Sequence, residues 1–153
     1  MLGSWFLRFL GLFLPVFLLV PAIPAQSADA PVHERALQVE GFVNGRLAVW
    51  QQRLNLQDWK ISIIMSHPSD LKPKTLGNIH WDAEKKSAVI RVLDASDYRL
   101  SYREMLEDME FTVVHELIHL ELSSLPRSEA SRREEEHAVN TIADALLKLD
   151  RKK

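Results

Sequence analysis

Six histidines occur in the 153 residues, and two of them stand with a glutamate in an order that can do chemistry: His115-Glu116-Leu117-Ile118-His119. Positions four apart on a helix lie one above the other, so both imidazoles can reach one ion while Glu116 points beside it. That is the HExxH spacing. In its chemistry a divalent metal, zinc foremost, acidifies a water, and the glutamate accepts the proton as the water attacks a carbonyl. The residues therefore point to metal-assisted hydrolysis, with His115 and His119 as ligands and Glu116 as general base.

The surroundings fit this reading. The motif sits in the apolar run FTVVHELIHLEL, and no Pro or Gly interrupts the stretch from Arg103 to Leu125. Two His and a Glu turned inward on a buried helix lose about 1–3 kcal/mol each if left unpaired, and a shared ion is the simplest way to satisfy them. The competing reading is two histidines on a partly exposed helix, paired with nearby acids.

Two imidazoles do not complete a catalytic zinc site, which needs a third protein ligand and an open position. The chain contains no cysteine, so the ligands are His or carboxylate. A third His beyond a Gly is absent, because the residues after His119 are LELSSLPRSE. A carboxylate from the next helix remains, with Glu134, Glu135 and Glu136 as candidates and His137 beside them. Glu135 lies closest to the centre of that helix's apolar stripe, so helical geometry alone favours it as the inward carboxylate.

The elements that must position these residues can be traced along the chain. Arg8, an apolar stretch from Phe9 to Val20 and the small-residue segment PAIPAQSADA have the order of a secretory signal peptide. About a dozen apolar residues fall short of the ~20 needed to span a bilayer. A leader of residues 1–28 is expected, cleaved between Ala25 and Ala30, leaving a domain over 31–153 that is periplasmic or secreted and has no membrane span. Losing Arg8 takes the formal net charge from −2 to −3. The Lys-rich stretches at Lys72 to Lys74, Lys85-Lys86 and Arg151 to Lys153 are separate and mixed with acids, an ordinary solvated surface that gives no nucleic-acid footprint. A domain of this size buries a core without disulfides, so the missing cysteines do not count against export.

Within that domain Val32, Ala36, Val39, Val43, Leu47, Trp50 and Leu54 recur in steps of four and three, one stripe of a helix. A β-branched, alternating strand follows from Trp59 to Ser66, then a Pro-rich connection from His67 to Lys74. Gly77 to Trp81 leads through the turn Asp82 to Lys86 into Ser87 to Asp94, which reads as an antiparallel hairpin. Pro126 ends the HELIH helix. A last helix is expected from about Ser131, where Ser131-Arg132-Arg133-Glu134 has capping-box spacing, to about Leu149, with Ala138, Val139, Ile142, Ala143, Leu146 and Leu149 as its stripe. The fold class expected is α+β: a leading helix on a small, mostly antiparallel sheet, then the motif helix and a helix bearing the third ligand.

With VVHELIHL followed by EEHAVNTIADAL, the chain resembles the gluzincins, zinc peptidases in which a following helix donates a glutamate ligand, and within them the small bacterial and phage-type metallopeptidases with a minimal zincin core. The resemblance covers most of the mature chain, but HELIH is its one highly specific motif. It implies Zn2+ as cofactor, peptide or protein as substrate, and Glu136 as third ligand, because Asn140 then falls four positions on, where the family has an acid or amide that hydrogen-bonds a ligand histidine. It also implies a strand edge, most naturally that of Ser87 to Asp94, that aligns an extended peptide. The chain departs from the large gluzincins in lacking the Asn-Glu pair at the ligand and a large C-terminal domain.

Tyr98, Tyr102, His80 and His137 have the chemistry to stabilise an oxyanion, and the residues alone do not choose among them. Trp50, Trp59 and Trp81 read as packing residues, and His33 and His67 as surface residues. Neither a Gly-rich phosphate loop nor a GxSxG elbow occurs. Two other functions compete with the peptidase: an inactive metal-binding or partner-binding envelope protein built on the same site, and a periplasmic binding or assembly factor with no metal. A closed structural site would have no use for a carboxylate at Glu116.

Overall fold

A computed structural model describes residues 29–126 and 128–152. The expected leader, residues 1–28, lies outside them, and the expected cleavage range of Ala25 to Ala30 reaches the first two residues of α1. The elements run α1 (Asp29–Arg53), β1 (Lys60–Ser66), β2 (Gly77–Asp82), β3 (Ser87–Leu93), α2 (Tyr102–Glu121) and α3 (Glu129–Asp150), with short 3-10 turns at Pro68–Asp70, Ala95–Asp97 and Leu122–Ser124. This is the α+β class expected from the hydrophobic periods.

Helix α1 buries Val39, Val43, Leu47 and Trp50, four of the residues on the stripe read from the sequence. It stops where Asn55 takes a positive φ of 54°. There the amide of Leu56 donates to the Gln51 carbonyl (2.9 Å) and that of Asn55 to Gln52 (3.2 Å), the double bond of a Schellman cap. Leu56 is buried by this turn, and Gln51 Nε2 ties the following loop back to the helix through the carbonyls of Leu56 and Trp59.

The sheet has the order β1-β3-β2. Strands β2 and β3 form the expected antiparallel hairpin, with Ile79 opposite Ile90, whereas β1 joins β3 in parallel, with Ile63 opposite Ile90. The sheet is therefore mixed, its antiparallel half being the hairpin. Strand β3 is central, paired on both sides, and the edge left beside α2 belongs to β2. That corrects the assignment of a substrate-aligning edge to Ser87 to Asp94, whose backbone groups are already spent on two neighbours.

Helix α2 opens on a reciprocal capping box between Ser101 and Glu104. Met105, Met109, Val113, Leu117 and Leu120 are buried on it. It ends at Glu121 and tightens into a 3-10 turn, a few residues before Pro126. Helix α3 starts at Glu129, two residues before the expected point, because Ser128 is the cap and Ser131 takes the third position of the box. Its buried stripe is Val139, Ala143 and Leu147, with Leu146 half-buried; Ile142 and Leu149 face solvent instead. A polar network anchors the far side of the three helices. Glu110 accepts from Arg46 Nε (2.6 Å) and Trp50 Nε1 (2.7 Å), while Asp150 at the end of α3 pairs with Arg46 (2.8 Å) and Arg53 (2.7 Å).

Candidate metal centre

The polar face of α2 carries Asp108, Phe111, Thr112, His115, Glu116 and His119, spaced three, four and seven apart so that they share one stripe. With β2 on one side and the start of α3 on the other, this stripe floors a cleft of about 820 Å3. Both motif histidines and Glu116 open into it.

The Nε2 atoms of His115 and His119 face each other at 3.0 Å. The carboxylate of Glu136 stands 3.5 Å from the first and 3.3 Å from the second. Among the described residues these three side chains place one donor atom each within 4.8 Å of the others, a grouping that could hold a metal ion. Glu135 goes elsewhere. Its Oε1 lies 2.9 Å from His119 Nδ1, on the far side of that ring, and Asn140 Oδ1 lies 3.1 Å from His115 Nδ1. The neighbours His137 and Glu134 are exposed and do not line the cleft.

Helical rows explain why adjacent glutamates part company. Glu135 belongs to the row 135-139-143-147, whose other three members are buried, so it is the more inward carboxylate, as stripe geometry required. That row passes behind His119, and the inward side chain meets Nδ1. Glu136 and Asn140 form the next row, turned toward the cleft, where one reaches both Nε2 atoms and the other the back of His115.

These contacts fix the tautomers. Carboxylate and amide oxygens only accept, so each Nδ1 bears its hydrogen, and each ring in its neutral form presents a lone pair at Nε2. Two lone pairs and a carboxylate then point at one small volume, an arrangement that repels itself unless a cation occupies it. A proton is the lesser solution, because burial pushes the pKa of His115 below its usual value and the neighbouring His119 lowers it further, against the opposing pull of Glu136 and Asn140. A divalent ion suits the N, N, O donor set, with the two Nδ1 partners orienting the rings as outer-shell groups do.

Glu116 is buried, 7% exposed, and accepts no hydrogen bond among the described residues. Burial pushes its pKa up to about 7, the charge of Glu136 adds to the rise, and Lys72 opposes it. Such a group is poised to exchange a proton near neutrality. Its place depends on Gly77, the first residue of β2. A Cβ there would stand 2.4 Å from Thr112 Cγ2, 2.7 Å from the Arg91 carbonyl and 3.6 Å from Glu116 Oε1. Glycine lets the strand edge pass directly over the base.

Of the four residues considered for an oxyanion, only His80 lines the cleft, on β2. Tyr98 is half-buried and donates to Asp108 Oδ2 (2.9 Å), so it shapes the cleft wall from behind. Tyr102 lies at the start of α2 under Arg35, away from the centre. Trp81 lines the cleft, Trp50 is in the core and Trp59 packs against it from its margin. Thr112, Asp108, Gly77 and the cations Lys72, Lys74 and Arg132 also line the cleft, and no motif pointed to them. Comparison with protein-family models, with curated proteins and with solved structures finds no significant match to this chain.

Proposed function

We propose that the protein is a zinc-dependent hydrolase of peptide bonds, exported from the cell by its leader, with His115, His119 and Glu136 holding the ion and Glu116 as general base. The observation that carries this reading is the convergence of two lone-pair nitrogens and a carboxylate on one volume, with a buried glutamate of raised pKa beside it. Zinc held there supplies Lewis acidity, lowering the pKa of a bound water from 15.7 toward about 7 and polarising the carbonyl under attack.

The chain's own residues do the rest. Glu116, beside the ion and without a hydrogen-bond partner of its own among the described residues, accepts the proton of the attacking water and hands it to the leaving amine. Asn140 and Glu135 hold the imidazoles in register. Strand β2, the free edge over α2, offers backbone groups to an extended substrate, and its Gly77 lets that edge lie close over Thr112 and Glu116. No described helix is long and apolar enough to cross a membrane.

The second function, a metal site kept for structure or partner recognition, is separated by Glu116→Gln. The peptidase reading expects about one zinc per chain by elemental analysis in parent and variant, casein or peptide-library cleavage by the parent, and loss of that cleavage in the variant. Equal cleavage by both removes Glu116 from the mechanism. Zinc without cleavage in either favours the binding protein, and absence of zinc after reconstitution leaves the metal-free binding factor.

A further inference from the structure

The cleft keeps its acids and its cations in different places. Its acids lie on the floor or at the centre: Glu116 is buried, Glu135 is turned to His119, Asp108 accepts from Tyr98, and Glu136, exposed on its outer side, stands at the two imidazoles. Its cations lie at the mouth. Lys72 and Lys74 project from the loop before β2 on one side and Arg132 from the first turns of α3 on the other, all three exposed. None of the three makes an ion pair among the described residues. Other exposed cations, Lys60, Arg99 and Arg133 among them, likewise have no acid at ion-pair distance among the described residues, so what sets these three apart is their place around one cleft.

The backbone at Lys74 is a second observation. Thr75 N–H donates to the Lys72 carbonyl (3.1 Å) across Pro73 and Lys74, and Lys74 has φ 66°. A turn with proline second and a positive φ third is type II, whose third position favours glycine or asparagine. Lys74 holds that place, as Lys86 does at φ 47° in the turn between β2 and β3 away from the cleft, so strain alone does not mark the site. What marks Lys74 is that its turn carries a positive charge into the cleft lining, where glycine would be easier for the backbone.

Resting on the peptidase reading, we infer that the cleft selects substrates bearing carboxylates beside the bond to be cut: anionic peptides, drawn in by Lys72, Lys74 and Arg132. On a chain with a formal net charge of −2, a local positive rim acts against the background and favours anionic partners by steering and by contact. The shared chemistry is the carboxylate, which acidic side chains or a free C-terminus can supply.

Binding separates this inference from the catalytic one. Fluorescence anisotropy with the full chain carrying Glu116→Gln, zinc-loaded, would use four labelled peptides of one length: acidic, neutral and basic with both ends blocked, and neutral with a free C-terminus. At low salt the acidic or the free-acid peptide is expected to bind at least tenfold tighter than the basic one, with the ratio shrinking toward unity in 0.5 M salt, as rim electrostatics require. The arm that gains identifies the source of the carboxylate. Lys74→Gly, built in the same background, is expected to keep or raise the melting temperature while cutting the acidic-to-basic ratio severalfold, and Lys74→Arg to preserve the ratio. A ratio near one, a preference for the basic peptide, or a ratio untouched by Lys74→Gly and Lys72→Gln together overturns the inference. Charge selection without cleavage by the parent chain would instead sink the peptidase reading and leave an anion-selective binding cleft.

Discussion

Glu116 is costly to the folded chain before it is useful. In an unfolded chain its carboxyl titrates near 4.5, and in the fold burial and Glu136 push it up to about 7. At 1.36 kcal/mol for each tenfold change, this is about 3 kcal/mol of stability withheld from the metal-free protein once the group is ionised. The sign follows from proton counts. Below pH 4.5 both states hold the proton and nothing is lost. Between 4.5 and 7 the unfolded chain ionises first, so stability falls as pH rises; above about 7 the whole penalty is present. Glu116→Gln keeps the shape and cannot ionise, so it removes the penalty and its pH dependence together.

The assay is urea unfolding of parent and variant in the presence of a chelator, from pH 4 to pH 8.5. The curves should coincide near pH 4 and separate to about 3 kcal/mol by pH 8, with a melting temperature for the variant higher by on the order of 10 °C. Zinc should close most of that gap, because a positive ion nearby favours the carboxylate over the neutral amide. A variant less stable than the parent at pH 8 without metal, or a difference indifferent to pH, would refute the account of Glu116 as a buried, electrostatically strained base.

Gly77→Ala must displace either the buried Thr112 or the Arg91 carbonyl of the central strand, so it should cost about 1–3 kcal/mol in thermal melts and lower kcat/KM for peptide cleavage; adding Thr112→Ala should recover only part, because the carbonyl remains in the way. In chelator competition, Glu135→Gln should weaken zinc binding by about 10–100-fold as the loss of an orienting partner, and Glu136→Gln by more, as the loss of a ligand; the reverse order would exchange their roles. Glu110→Ala strands the buried Trp50 N–H and leaves Arg46 with only Asp150, so about 2–4 kcal/mol should disappear in urea unfolding while zinc affinity of the folded chain stays at the parent value.

The period of the apolar residues showed in the sequence where helices and strands lie, and the spacing of His115, Glu116 and His119 showed which face of α2 opens on the cleft. Both are properties of one element. What escaped depends on how elements meet. The stripe of α3 looked wider than it is because Ile142 and Leu149 are apolar, yet only the row through Val139, Ala143 and Leu147 meets the core, and that rotation decides which of two adjacent glutamates stands in front of the histidines. Parallel pairing of β1 with β3 made β3 central and gave the open edge to β2, which hairpin signals cannot reveal. Lys72 and Lys74 read as solvated surface because Arg132, their companion at the cleft mouth, is far away in the chain.

The two neighbouring rows of α3 also explain how one short helix start supplies both a candidate donor and the orienting partners of the two histidines. A glutamate in the buried row reaches the back of His119, and the next residue, one row over, reaches the front of both rings; one turn later that second row supplies Asn140 to the back of His115. Glu136 and the two orienting side chains are thus set by a single rotation of α3 against α2, so neither kind can be misplaced without the other. That rotation is held at both ends, by Glu135 on His119 near the start and by Asp150 on Arg46 and Arg53 at the finish. Between them the row of Val139, Ala143 and Leu147 is buried in the core, and Asn140 on the next row meets His115. The acid that looks merely structural at the C-terminal end is therefore part of what keeps the two imidazole nitrogens and the Glu136 carboxylate aimed at the same point.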